Sequence, residues 1–288
     1  LLKKNYFFYN YADLIALVKQ LKVKGKRVVI ELHSTTDPDF APHKALEHLQ
    51  DMFQQCDAIL VHSIKDLNRL KGLQLIDNVI LIPLGVLTVP EITTPIMEII
   101  QETDLIQAVN DQESFIIATY GFFLPHKGLH EIIEALSALL KIYPKLHLMM
   151  INAEYPVVDS EHAIKKAQQQ VQQLGLQGKV TFKTEFLPDE TSLAYLTQAD
   201  LIVFPYQATG EAASAAARYG ITVQKPVAIT PLSIFDDIKD VCFKLPGTDV
   251  ESMVVGLQEC ISKIKNNEPD VQAMQNKQAA WYKAHTYS

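Results

Sequence analysis

Three stretches place charged or titratable side chains just beyond apolar runs of strand length. In "SFIIATYGFFLPHKGLHEIIEAL", residues 114–136, an apolar run enters a loop bearing Gly121, Phe122, Pro125, Lys127 and Gly128, and an amphipathic pattern follows. Strand, loop and helix in that order aim the helix's first free N–H groups past the strand's carboxyl end, where open α/β sheets bind ligands. The helix dipole favours an anion there, and Lys127 adds a full positive charge. Phosphate binding is the chemistry this suggests; a surface lysine beside a helix start is the alternative that stays open. A P-loop is excluded, because Lys127 precedes Gly128 and no Ser or Thr follows, and a GxGxxG fingerprint is absent.

The second stretch is "FPYQATGEAASAAARYGITVQKPVAITPLSIFDDI", residues 204–238. Its run Ala212, Ala213, Ser214, Ala215, Ala216, Ala217 strips bulk from an expected helix start, so backbone amides there could approach a ligand. Glu211 stands at that start, where capping alone would account for a carboxylate. The third stretch is "IELHSTTDPDF": His33 falls just past a strand end, either as a working side chain or as a structural histidine. Asp37 and Asp39 form a D-x-D that could hold a divalent cation, though no second ligand group accompanies it.

The elements that must position these residues follow an alternating pattern. Strands are expected at 27–32, 58–63, 79–84, 115–120, 146–152, 180–185, 201–206, 226–230 and 242–245, most of them apolar on both faces as central parallel strands are. Helical periods occupy 11–23, 43–54, 64–71, 129–142, 160–174, 189–197, 211–219 and 250–265. Residues 86–113 show no clear register and read as a connection between 1–95, an incomplete N-terminal α/β domain, and 96–288, a complete C-terminal one.

Composition narrows the classes. Of 288 residues, 48% are hydrophobic, enough for a sizeable core. A formal charge of −7 disfavours nucleic acid as a partner. Lys19, Lys22, Lys24, Lys26 and Arg27 form a local basic patch, either a solvated helix end or a contact for an anionic membrane surface. Cys56, Cys242 and Cys260 lie too far apart for a metal or disulfide pattern, which suits a reducing compartment. No run reaches transmembrane length and no leader is visible, so a cytoplasmic location is expected, at the inner membrane face if the basic patch is used. The start "LLKKNYFF" without Met and the end "WYKAHTYS" on a helical pattern suggest a fragment.

Taken together, these blocks resemble family 4 of the retaining GT-B glycosyltransferases (group 1). "GFFLPHKGLHEIIEAL" is similar to the family's Gly-Arg-x-x-x-x-Lys-Gly loop and helix, "KVTFKTEFLPDETSLAYLTQADLIVFPYQATGE" to its V-x-F-x-G … L-Y-x-x-A-D … P-S … E region, and "KPVAIT" to its G-x-P-V-I-A-T strand. "VIELHSTT" and "CDAILVHSIKDLNRL … NVILIPLGV" resemble segments of the first domain. The resemblance implies two Rossmann-like parallel-sheet domains facing a cleft that binds a nucleotide-diphosphate sugar, with a saccharide or lipid-linked saccharide as acceptor, in polysaccharide biosynthesis, and with neither cofactor nor metal.

Carried over by position, Gly121, Phe122, Lys127 and the amides of Gly210 and Ala212–Ser214 would meet the donor diphosphate, Glu211 and His33 the donor sugar, and Asn152 and Phe186 the base. Phe122 stands where the family usually has Arg, and Tyr219 where a second Glu would hold the ribose. The expectation is that Arg218 restores the lost charge and that Tyr219 or a backbone group takes the ribose. Transfer of a hexose, with UDP-glucose the favoured donor, is therefore expected. A nucleotide-sugar-binding protein without turnover and a UDP-sugar epimerase of the same fold are the alternatives.

Overall fold

A computed structural model of the chain describes residues 10–37, 45–75, 77–86, 88 and 96–286. The described residues form an α/β fold with parallel sheets. Two compact units are present: Leu1–Leu84 with Gly210–Ser214, and Gly85–Thr209 with Ala215–Ser288. The sequence reading divided the chain at 95/96; Val86 already belongs with the second unit, its amide donating to the carbonyl of His285 and its backbone bridging Thr286.

In the first unit, α1 (Tyr11–Val23) leads to β1 (Val29–Leu32), a 3-10 turn (Leu46–Leu49) with α2 (Gln50–Gln54), β2 (Ala58–Val61), α3 (Ile64–Gly72) and β3 (Val79–Leu81). The strands pair in parallel in the order β1-β2-β3. Parallel neighbours need a crossover, and the helical segments between them supply it. Leu14, Val18, Leu32, Leu49, Phe53 and Ile59 are among the residues closing the core.

The second unit contains α4 (Ile96–Ile99), α5 (Thr103–Asn110), β4 (Phe115–Phe122), α6 (Leu129–Leu139), β5 (Leu146–Ala153), α7 (Val158–Gln173), β6 (Val180–Lys183), α8 (Asp189–Leu196), β7 (Leu201–Phe204), α9 (Ala215–Thr222), β8 (Val227–Ile229), β9 (Phe243–Lys244), α10 (Val250–Lys265) and α11 (Pro269–His285). Its six strands pair in parallel in the order β6-β5-β4-β7-β8-β9. The chain winds outward from β4 in one direction through β5 and β6, then returns to start the other half at β7. The switch point between β4 and β7 is where a doubly wound sheet leaves a crevice at its carboxyl edge.

Both faces of this sheet are covered, which is why β7 reads as an unbroken apolar run and β4 and β5 are apolar but for Thr119, His147 and Asn152. On one face Ile133, Leu136, Leu148, Leu201 and Leu257 pack together. On the other, Leu105, Ile116, Leu196, Ile202, Phe204 and Ile221 do. The segment expected to be a registerless connection thus contributes a helix: α5 buries Leu105 and Ala108, one helical turn apart. Among the described residues no helix is long and apolar enough to cross a membrane.

Candidate functional site

Lys127 sits at the switch point of the six-stranded sheet. β4 ends at Phe122, a 3-10 turn over Pro125–Lys127 follows, and Gly128 at φ +69° opens α6. That conformation suits glycine, and space demands it as well, since a Cβ there would lie 1.7 Å from the carbonyl oxygen of Pro205. The loop after β7 is thereby locked to the loop after β4, and Gln207 N–H donates to the His126 carbonyl at 2.8 Å. Lys127 is buried, with Nζ 3.9 Å from the centre of the Tyr206 ring. Stacking a cation on an aromatic face fixes its direction. Gly121, at φ +124°, brings β4 within a Cβ contact of Ala216 on α9.

Beside this loop, at the carboxyl ends of β4, β5 and β6, three rings gather. Phe122 stacks on Phe186, centroids 6.0 Å apart and planes at 20°, and Tyr155 meets Phe122 edge-on at 4.9 Å. Phe186 is 78% exposed, although one so large and apolar is ordinarily covered. Phe122, occupying an arginine position of the resembled motif, therefore adds an aromatic plane instead of a charge. Asn152 is buried, with Oδ1 accepting from Thr119 Oγ1 at 2.5 Å; it ties β4 to β5, which corrects its expected contact with a base.

One further expectation is corrected by burial. The Arg218 guanidinium is 3% exposed, pairs with Asp237 and lies 6.0 Å from the Trp281 ring, so its charge is spent inside the unit instead of facing a diphosphate. Burial raises the Asp237 carboxyl above its usual range despite the pull of Arg218. Tyr219 stacks on Tyr120 at 4.6 Å and donates its hydroxyl to Asp189 Oδ1 at 2.7 Å. Burial, then the bond to Asp189, pushes the Tyr219 phenol up. Asp189, exposed at the start of α8, is a carboxylate the sequence reading passed over.

The first unit holds the other candidates. His33 follows β1 with its side chain 42% exposed, and Gly210–Ser214 packs on the same loop. The Gly210 carbonyl accepts from Ser34 Oγ at 2.9 Å and Thr36 Oγ1 at 3.3 Å, while Ala212 N–H donates to the His33 carbonyl at 3.3 Å. Those contacts hold residues 210–214 out of helical conformation, so α9 starts at Ala215 and not at 211. The expectation that Ala212–Ser214 present amides from a helix start is thereby corrected: the Ala212 amide is already bonded and Ser214 is buried, both ahead of α9. Thr35 donates through both N and Oγ1 to Asp66, which also accepts from Ser63 and so anchors the loop to α3.

Asp37 accepts from the Leu46 amide at 2.8 Å and pairs with Arg69; these bonds occupy the first carboxylate of the D-x-D, and Asp39 lies outside the described residues. In the basic patch Lys22 pairs with Asp57 at 2.8 Å, whereas Lys19, Lys24, Lys26 and Arg27 are exposed around Val23, itself 89% exposed. All three cysteines are buried thiols.

Comparison with known proteins follows these lines. Residues 101–238 match the family described as glycosyl transferases group 1. No curated protein matches by sequence. Among solved structures, the UDP-forming α,α-trehalose-phosphate synthase of Burkholderia xenovorans in complex with glucose-6-phosphate is similar at TM-score 0.72 and 12% identity, over 95% of this chain and 68% of that one. HepE of Anabaena in complex with UDP and glucose is similar at TM-score 0.70 and 15% identity, over 95% and 72%. Sucrose-phosphate synthase of Thermosynechococcus elongatus is similar at TM-score 0.66 and 16% identity, over 93% and 67%. At such identities the likeness speaks for the fold alone: the chain has the parallel-sheet α/β architecture of these GT-B structures, and its residues 101–238 match the group 1 glycosyl transferase family.

Proposed function

We propose that the chain is a retaining family 4 enzyme moving a hexose, with UDP-glucose the favoured donor, to a saccharide or lipid-linked saccharide in polysaccharide assembly. The observation that carries this reading is Lys127, a buried and directed cation at the switch point of a doubly wound sheet. Lys127 and the first amides of α6 stabilise charge on the departing diphosphate as the sugar becomes oxocarbenium-like. Phe122, Tyr155 and Phe186 offer the base its stacking plane, and Asp189, held by Tyr219, accepts from the ribose hydroxyls. In the first unit His33 and Glu211 act on the sugar side. The leaving phosphate takes the acceptor's proton, and Lys127 does the work a metal would do at the diphosphate. UDP and glucose in the HepE structure, and glucose-6-phosphate in the synthase, support a UDP donor and a saccharide acceptor.

The test is transfer from UDP-glucose to a panel of sugars and sugar phosphates, with the product anomer read by NMR. Transfer with retention is expected, and Lys127→Ala should lower kcat by ~10²–10³-fold. An inverted product or an undiminished Lys127→Ala enzyme overturns the proposal. Phe122 and the diverted Arg218 favour a second reading, a nucleotide-sugar binder without turnover; UDP-glucose that binds yet is neither hydrolysed nor transferred would support it. Conversion of the sugar to its epimer would mark the epimerase.

A further inference from the structure

At the carboxyl edge of the first unit's sheet, Glu31, His33 and His62 converge. Glu31 and His33 are two residues apart along an extended segment, so they share a face. β2 runs beside β1 with Leu32 opposite Val61, which sets His62 next to His33; the rings lie 5.1 Å apart. The His62 imidazole is 4% exposed. Its Nδ1 lies 3.0 Å from the carbonyl oxygen of Ile82, and since a carbonyl only accepts, Nδ1 carries the proton. In the neutral imidazole Nε2 is then a lone pair turned into the cluster. It is buried without a hydrogen-bond partner, although Glu31 Oε1 lies only 3.0 Å away, off the direction a hydrogen bond needs.

Two electron-rich atoms held this close repel unless something positive lies between them. We propose that Glu31, His33 and His62 form a binding site for a first-row divalent metal of the zinc class. One ligand atom from each residue lies within 4.8 Å of the other two. Bonds of ~2.0–2.2 Å in a tetrahedral shell put ligand atoms about 3.3 Å apart; the Glu31–His62 and Glu31–His33 separations of 3.0 and 3.8 Å bracket that spacing. The metal would lie along the Nε2 lone pair, with the carboxylate oxygen to its side, which is the offset observed. The carbonyl behind Nδ1 is the support a metal-binding imidazole ordinarily has. Two imidazoles and a carboxylate are a borderline donor set suited to Zn²⁺, and the half-exposed His33 leaves an entry path and an open fourth position. This site shares His33 with the transfer reading but is drawn from the geometry of Glu31, His33 and His62 alone, and stands or falls without it.

The test uses the full chain, stripped with chelator and titrated with ZnCl₂ in a calorimeter, with Co²⁺ visible spectra as a second readout. One Zn²⁺ per chain and a tetrahedral Co²⁺ spectrum are expected. Glu31→Gln and His33→Ala, both at accessible side chains, should each weaken uptake about tenfold or more, the scale lost even when a group behind a ligand is removed. Absence of saturable uptake, uptake unchanged in both variants, or ¹⁵N shifts showing His62 as an imidazolium at neutral pH would overturn the site.

Discussion

At the scale of single residues, the loop around Lys127 depends on an atom that is not there. Gly128→Ala puts a Cβ 1.7 Å from the Pro205 oxygen and forces alanine to φ +69°, so the β4 and β7 loops must separate. We expect a loss of stability above about 1 kcal/mol and a fall in kcat as Lys127 loses its seat, measured by urea unfolding and donor turnover. A stable variant with full activity would refute the role given to this approach. Asp189→Asn tests the other end of the site. Its effect should fall on donor KM, with tight dependence on the ribose: wild type should discriminate a 2′-deoxyribose donor, and the variant should not. Lys127 and His33 stand out as candidates in the sequence because each follows an apolar run, where strand ends expose side chains, and Glu211 because it precedes a run of small residues. Asp189, Tyr155 and His62 were not singled out, because nothing in linear spacing tells which loops a sheet brings together. The fate of Arg218 was equally hidden: Asp237, its partner, is 19 residues on, and only the fold makes them neighbours.

At the scale of elements, all nine expected strands form, several trimmed at one or both ends. Doubly covered strands announce themselves by composition alone, since both faces must be apolar. Helices were less certain. The run of small residues at 211–217 has good helix propensity throughout, yet its first four positions are claimed by the loop carrying His33. With no bulky side chain to set a register, tertiary hydrogen bonds decide where such a helix starts. α5 was missed for the opposite reason: eight residues between polar neighbours give too short a period to stand out. What pins β4 between β5 and β7 is partly a single carboxylate. Asp200, at the entrance to β7, accepts from the Ile116 amide at 2.7 Å, and burial raises its pKa. Asp200→Ala leaves that amide unsatisfied and should cost about 1–3 kcal/mol in chemical denaturation, more than a surface substitution on α7 would. A cost near zero would mean the β4–β7 pairing needs no such tie.

At the scale of the whole molecule, the two units have separate cores, so their stabilities can be read separately. The single tryptophan of the chain, Trp281, lies on α11 in the second unit, where its fluorescence follows that unit. The same unit holds His147 on β5, 2% exposed, its Nε2 2.8 Å from Thr181 Oγ1. Burial lowers the His147 pKa from 6.5 to about 4, outweighing the opposite pull of Asp104. Between those values the unfolded chain binds a proton that the folded unit refuses. Stability from this residue is therefore complete above pH 6.5 and is lost as pH falls toward 4, by roughly 3 kcal/mol once both states are protonated. Trp281-monitored urea unfolding at intervals from pH 7.5 to 4 should show the decline, and His147→Gln, which cannot take up the proton, should flatten it. An equal decline in wild type and variant would remove His147 as its source and leave the carboxylates to account for it.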